Sequence, residues 1–342
     1  MRLELGQGEL LDNNFFVTIS AQGITEAFAR EMGQTLLVLV RELETFKGGL
    51  DLRRMHRIIV TTDMTTQLKE LASLTASGAP ITHTDEDYGV AVAKVLLLPK
   101  EEGIEILPVL HAEFVSPLTQ SAKQVEIDNE DVHFALHLLH HELCHVHDDN
   151  KKLDALAPFI LKHSYRGKDQ YIRPTTDICW SEYIANRLSS STASKKNINN
   201  MMQSFIDAIE RTKPAIDEEI SKYRTHEDTT HLLDLFQRHG VFLLTTAAYC
   251  LGYLDGLGVA LGELDKKAEE ALAGSYFEPT WQGMQKTLQE MHNTYPNGWT
   301  DLRVYDSLAE VIESYYATMG LILSTTDDGG CWLSVPFRQE KS

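Results

Sequence analysis

His137-Leu138-Leu139-His140-His141-Glu142-Leu143-Cys144-His145-Val146-His147-Asp148-Asp149 is the stretch on which the reading of this chain turns. It holds one HExxH pattern, His141-Glu142-Leu143-Cys144-His145. Residues four apart on an α-helix stand one above the other, so His141 and His145 can offer ring nitrogens to one cation. Glu142 sits one step round the helix, beside the ion rather than on it. That offset suits metal-assisted hydrolysis, in which a zinc ion lowers the pKa of its water and an adjacent carboxylate takes up the proton. Val132, Ala135, Leu138, Leu139 and Leu143 supply the apolar stripe of an amphipathic helix around the motif.

Other metal pairs exist on the same helix, since His133, His137, His141 and His145 form a ladder at four-residue steps and His140 stands four before Cys144. Only the pair flanking Glu142 carries its own base. The remaining histidines read as surface groups or as supports behind the ligands, and Cys144 reads as a packed thiol. A catalytic zinc site needs a third protein ligand and an open fourth position. The best candidate is Glu182 in Trp180-Ser181-Glu182-Tyr183-Ile184-Ala185-Asn186-Arg187, a second helix after a connection long enough to fold back. Cys179, Asp148, Asp149 and Asp154 are the competing donors.

Taken together, the HExxH pattern and the downstream W-x-E-Y-x-A segment resemble the gluzincin group of zincin metallopeptidases. The resemblance covers only these two segments. It implies one zinc ion held by His141, His145 and Glu182, Glu142 as general base, and hydrolysis of a peptide or protein substrate. Asn186 stands where related enzymes often carry an aspartate that orients the first ligand histidine; an amide oxygen there would raise ligand basicity less than a carboxylate. The metzincin extension would need Gly at 148 and His at 151, where this chain has Asp148 and Lys151. A deformylase-type site would need an upstream cysteine, and none precedes Cys144.

The fold implied is α+β and zincin-like: a small mixed sheet with its helices over residues 1–126, a large helical lobe over 127–342, and the metal site in the cleft between. Local patterns agree. An amphipathic helix is expected over Thr25–Phe46, a strand over Arg57–Thr62, a short helix over Thr65–Leu74 and a loop over Ser77–Asp87. Val90–Leu98 and Ile104–Phe114 read as a hairpin turning at Gly103. Helices are expected over Glu130–His147, Leu153–Lys162, Asp177–Ser189, Asn197–Tyr223 with a break or kink at Pro214, Thr229–Gly252, Thr280–His292 and Asp301–Leu323. Asp327–Ser342 reads as irregular.

Composition bounds the function classes. In 342 residues, 43% hydrophobic and 24% charged, with only 10 Pro and 21 Gly, there is ample apolar content for a folded core. A net charge of -19 without a basic stripe argues against nucleic acid as partner. The beginning, Met1-Arg2-Leu3-Glu4-Leu5-Gly6, lacks the apolar run of a secretion signal, so a cytoplasmic location is expected. Cys144, Cys179, Cys250 and Cys331 are too few and too scattered for a disulfide framework and read as reduced thiols. Gly240–Gly262 approaches membrane-span length, yet its hydroxyls, glycines and Asp255 favour a buried core helix broken near Gly256 and Gly258 over a membrane span.

Two other readings compete with the peptidase. One is a zincin-fold metal-binding regulatory or interaction protein without turnover; the other is a hydrolase of a non-peptide amide. Tyr171, Tyr183, His226, His231, Tyr315 and Tyr316 are chemically eligible to stabilise an oxyanion, and the sequence does not choose among them. Substrate, endo- or exo-cleavage and oligomeric state are likewise not encoded in any readable pattern.

Overall fold

The computed structural model describes residues 2–6, 15–74, 85–86, 89–90, 93–101, 103–121, 129–160 and 164–337. The fold is α+β, mostly helical, with a small mixed sheet near the N-terminus. The chain divides into two compact units, Met1–Lys151 with Thr192–Ser194, and Lys152–Ser191 with Lys195–Ser342.

The first unit is built on a five-stranded sheet of order β1-β2-β3-β7-β6, with β1 Arg2–Gly6, β2 Phe16–Ser20, β3 Arg57–Thr61, β6 Ala93–Lys100 and β7 Gly103–His111. β2, β3 and β7 run parallel, while β1 and β6 close the edges antiparallel. Ile58-Ile59-Val60 is apolar throughout because the central strand is covered on both faces. Ile59 joins Leu96, Leu107 and Val109 in a cluster with Met64, Leu68 and Leu71 of α2 (Met64–Ala72). Ile58 and Val60, of opposite parity, point to the other face. Helix α1 (Glu26–Thr45) packs on β2 and on α3 (Ala112–Ser121), burying Met32, Leu36 and Val40.

The hairpin appears as expected, closing at the Lys100–Gly103 pair with Gly103 at φ 138. Its second strand stops at His111, because residues 112–121 form α3, which the apolar run concealed. β1 and β2 had no expected counterpart either. The expected loop over Ser77–Asp87 falls largely outside the described residues; within it Asp85–Glu86 (β4) pairs with Gly89–Val90 (β5).

Helix α4 runs without a break from Glu130 to Ile160, joining two segments expected to be separate. Asp148-Asp149-Asn150 favours caps and turns when solvated, but here Asp148 and Asn150 are fully buried. Asn150 Nδ2 donates to Asp51 O at 2.9 Å and to Val146 O at 3.0 Å, and its Oδ1 accepts from Arg54 Nη1 at 3.0 Å. Tertiary hydrogen bonds thus outweigh local propensity and carry the helix through.

The second unit is helical. α5 (Asp169–Ser189) and α6 (Lys195–His226) both run through an internal proline, Pro174 and Pro214. In each case the carbonyl that loses its partner belongs to an exposed residue, Gln170 or Glu210, so water can take the place of the missing N–H. The expected break at Pro214 is therefore absent. α7 (Thr229–Phe236) passes through a π-helical turn, Gln237–Val241, into α8 (Phe242–Leu257). Gly258 at φ 70 ends α8. Thr229–Leu257 is long and apolar enough to cross a membrane by length and composition, but 61% of its apolar window is buried within the protein. Asp255, the charge that argued against a span, is held by Arg187, Tyr183 and Gln289.

Short helices α9 (Leu261–Leu264) and α10 (Lys266–Leu272) lead to α11 (Glu278–Thr294) and α12 (Asp306–Thr318). The helix expected to reach Leu323 ends at Thr318, and Ile322–Thr325 (β8) turns back to pair with Cys331–Ser334 (β9). That hairpin corrects the expectation of an irregular tail. The core gathers Trp180, Tyr183, Phe205, Phe236, Phe277, Tyr315 and Tyr316, all fully buried. Cys144, Cys179 and Cys250 are buried free thiols and Cys331 is a half-buried one.

Candidate metal centre

One α-helical turn separates His141 from His145 on α4, and the two rings meet edge to face with centroids 4.6 Å apart. Their Nε2 atoms stand 3.0 Å apart. Tetrahedral zinc with bonds of about 2.0–2.2 Å sets its donor atoms roughly 3.3 Å apart. The same distance also suits one neutral ring donating a hydrogen bond to the other, so the pair alone is compatible with either arrangement. What adds chemistry is Glu182 of α5: ligand atoms of His141, His145 and Glu182 all lie within 4.8 Å of one another. Two imidazoles and one carboxylate are a donor set proper to zinc.

Among the described residues no other group of three or more His, Cys, Asp and Glu side chains comes together this way. Cys179, Asp148, Asp149 and Asp154 stand outside it. Burial first, and the charge of Glu182 second, push the Cys179 thiol well up, away from the thiolate that a ligand would need. Glu142 is buried at 7% exposure and is not a member of the donor group, as its place on the helix requires.

Of the two readings of the remaining histidines, surface groups or supports behind the ligands, the surface one does not hold for His137 and His140. His137 and His140 are buried, and both Nδ1 atoms meet Thr192 Oγ1, at 3.2 and 2.9 Å. Burial, followed by the proximity of His141, lowers His140 to about 4, so it is neutral at physiological pH. His147 accepts a 2.7 Å hydrogen bond at Nδ1 from the Asp51 backbone N–H, and burial holds it near 4 as well.

Asn186 is fully buried, and its Nδ2 donates to Glu182 O at 2.9 Å. Its Oδ1 has no hydrogen-bond partner among the described residues, so it does not orient a ligand ring here. Most of the oxyanion candidates are engaged elsewhere. Tyr183 donates its hydroxyl to Asp255, Tyr316 accepts from Gln237 Nε2 at 2.8 Å, and His226 and His231 approach Glu219 at 3.6 and 3.2 Å. Tyr253 of α8 was not among the sequence candidates. Its phenol is pushed up by burial first, then by Cys250 and by the charge of Glu182. No local pattern marks it, because its position depends on the packing of α8 on α5.

That packing is unusually close. A Cβ on Gly252 would fall 2.4 Å from Tyr183 O and 2.8 Å from Asn186 Cβ, and one on Gly256 would fall 2.4 Å from Arg187 O. Two glycines one turn apart therefore let α8 touch the backbone of α5 just after Glu182.

No family model, curated protein or solved structure matches this chain. A functional reading rests on its own residues.

Proposed function

We propose that this protein is a zinc-dependent metallopeptidase of gluzincin type, with His141, His145 and Glu182 as ligands and Glu142 as general base. The zincin-like relationship of the fold and the cytoplasmic location belong to the same proposal. The observation that carries it is the convergence of two imidazole nitrogens and one carboxylate oxygen within 4.8 Å, beside a buried glutamate that is no part of the group.

Zinc bound there would polarise a substrate carbonyl and bring its water towards a neutral pKa. The remaining work falls to the chain. Glu142 takes a proton from the attacking water and returns it to the departing amine nitrogen, both within one step of a helix too well buried to let the carboxylate wander. His141 and His145 hold their rings on one face of α4, fixed by the helical spacing. Glu182 supplies the negative charge that makes the donor set 2-His-1-carboxylate.

A quenched fluorescent peptide library incubated with the full chain tests the proposal. Stripping with a zinc chelator is expected to lower hydrolysis on the order of a hundredfold, and one equivalent of zinc to restore it. Hydrolysis indifferent to chelation, or none by the zinc-loaded chain, would refute the peptidase reading.

A further inference from the structure

A concavity lies wholly within the helical unit, of about 510 Å³ and lined by Tyr183 and Arg187 of α5, the end of α8 and α11. At its base is a polar network. Asp255 Oδ2 accepts from the Tyr183 hydroxyl at 2.5 Å and lies 3.1 Å from Arg187 Nη1, while Asp255 Oδ1 accepts from Gln289 Nε2 at 2.9 Å. Both carboxylate oxygens are thus used, which leaves Asp255 little capacity for a cationic ligand. Arg187 is different. Its contacts with Asp255 and with the Tyr183 hydroxyl, the latter at 3.3 Å, both run through Nη1, and its side chain remains 27% exposed.

Around the guanidinium stand three further side chains that make no hydrogen bond to any described residue, those of Gln285, His292 and Asn293 of α11. Gln285 and His292 are half-buried and Asn293 is exposed, and each has hydrogen-bonding capacity to offer a ligand in the concavity. Burial and the neighbouring Arg187 lower His292, so its ring is neutral and can serve as donor through either nitrogen. A planar guanidinium with Nε and Nη2 to spare matches two oxygens of one oxyanion. Asp255 offsets much of the Arg187 charge at close range, so recognition of the oxyanion rests on the spare guanidinium N–H donors and the neutral amide and imidazole groups, while charges beyond about 10 Å are screened at ordinary salt.

We infer that this cavity is a binding site for a small oxyanionic ligand, a carboxylate or phosphate group seated on Arg187, with Gln285, His292 and Asn293 contacting its polar remainder. The site is independent of the metal reading and stands or falls by itself.

Ligand-observed NMR titration of the full chain with inorganic phosphate, with glutarate and with ribose as an uncharged control tests it. Saturable binding of phosphate or glutarate is expected, and the two arms distinguish the sources. Arg187→Gln is expected to weaken it at least about tenfold. Should that variant unfold because Asp255 loses its cation, Gln285→Ala combined with Asn293→Ala leaves the Asp255 network intact and should still weaken binding severalfold. Ribose binding in preference to both anions, no saturable binding of either anion, or anion binding indifferent to the substitutions would overturn the inference.

Discussion

Replacing Glu142 by Gln should lower kcat for peptide hydrolysis by roughly a hundredfold to ten-thousandfold while leaving bound zinc unchanged. The side chain is buried and lies outside the donor group, so an isosteric amide keeps the packing of α4 and the ligand set. What it removes is the capacity to accept a proton. KM should move little, because the lost interaction belongs to the transition state rather than to substrate binding. A kcat within threefold of the parent would remove Glu142 from the mechanism. A catalytically silent metal protein would show no activity for the substitution to remove.

Replacing Gly252 by Ala should cost the helical unit about 3 kcal/mol of unfolding free energy. The new Cβ would meet Tyr183 O at 2.4 Å, Asn186 Cβ at 2.8 Å and Arg187 N at 3.1 Å. These are main-chain atoms or atoms fixed to the main chain, so no rotamer change relieves them and α5 must move by about an ångström. Glu182 immediately precedes Tyr183, and zinc affinity should therefore fall along with stability. Gly283→Ala is the control, since there the nearest atoms are Val311 methyls at 3.1 Å and a small shift suffices. A urea midpoint for Gly252→Ala equal to that of Gly283→Ala would contradict the close-packing account.

Much of this was legible in the sequence where the signal is local. His141 and His145 are one turn apart by spacing alone, and the structure sets their Nε2 atoms 3.0 Å from each other. Glu182 was legible only through a likeness between segments, because a carboxylate 37 positions downstream has no local signature of where it will fold. The strands illustrate the same divide. The hairpin closing at Gly103 announces itself by a turn, whereas β2 is five residues whose partner, β3, lies some forty positions on. Such a strand is defined by its pairing rather than by its own pattern.

Helix boundaries failed for a related reason. Asp148-Asp149-Asn150 and Pro214 are punctuation in an isolated segment, but buried hydrogen bonds to Arg54 and Asp51 override the first and an exposed carbonyl at Glu210 excuses the second. The buried segment around Asp255 was read as core for its polar content, and the structure gives that aspartate three partners. The contact made by Gly252 and Gly256 was not legible at all. A glycine pair in a helix is common, and only the facing backbone shows what it is for.

Metal analysis of the purified full chain, alongside His141→Ala and Glu182→Ala, tests the central claim most directly. The account predicts one zinc per chain in the parent and loss of stoichiometric zinc in both variants, each retaining its helical content. Zinc retained at full stoichiometry in Glu182→Ala would contradict it, because two rings on one helix would then be sufficient without the carboxylate of α5.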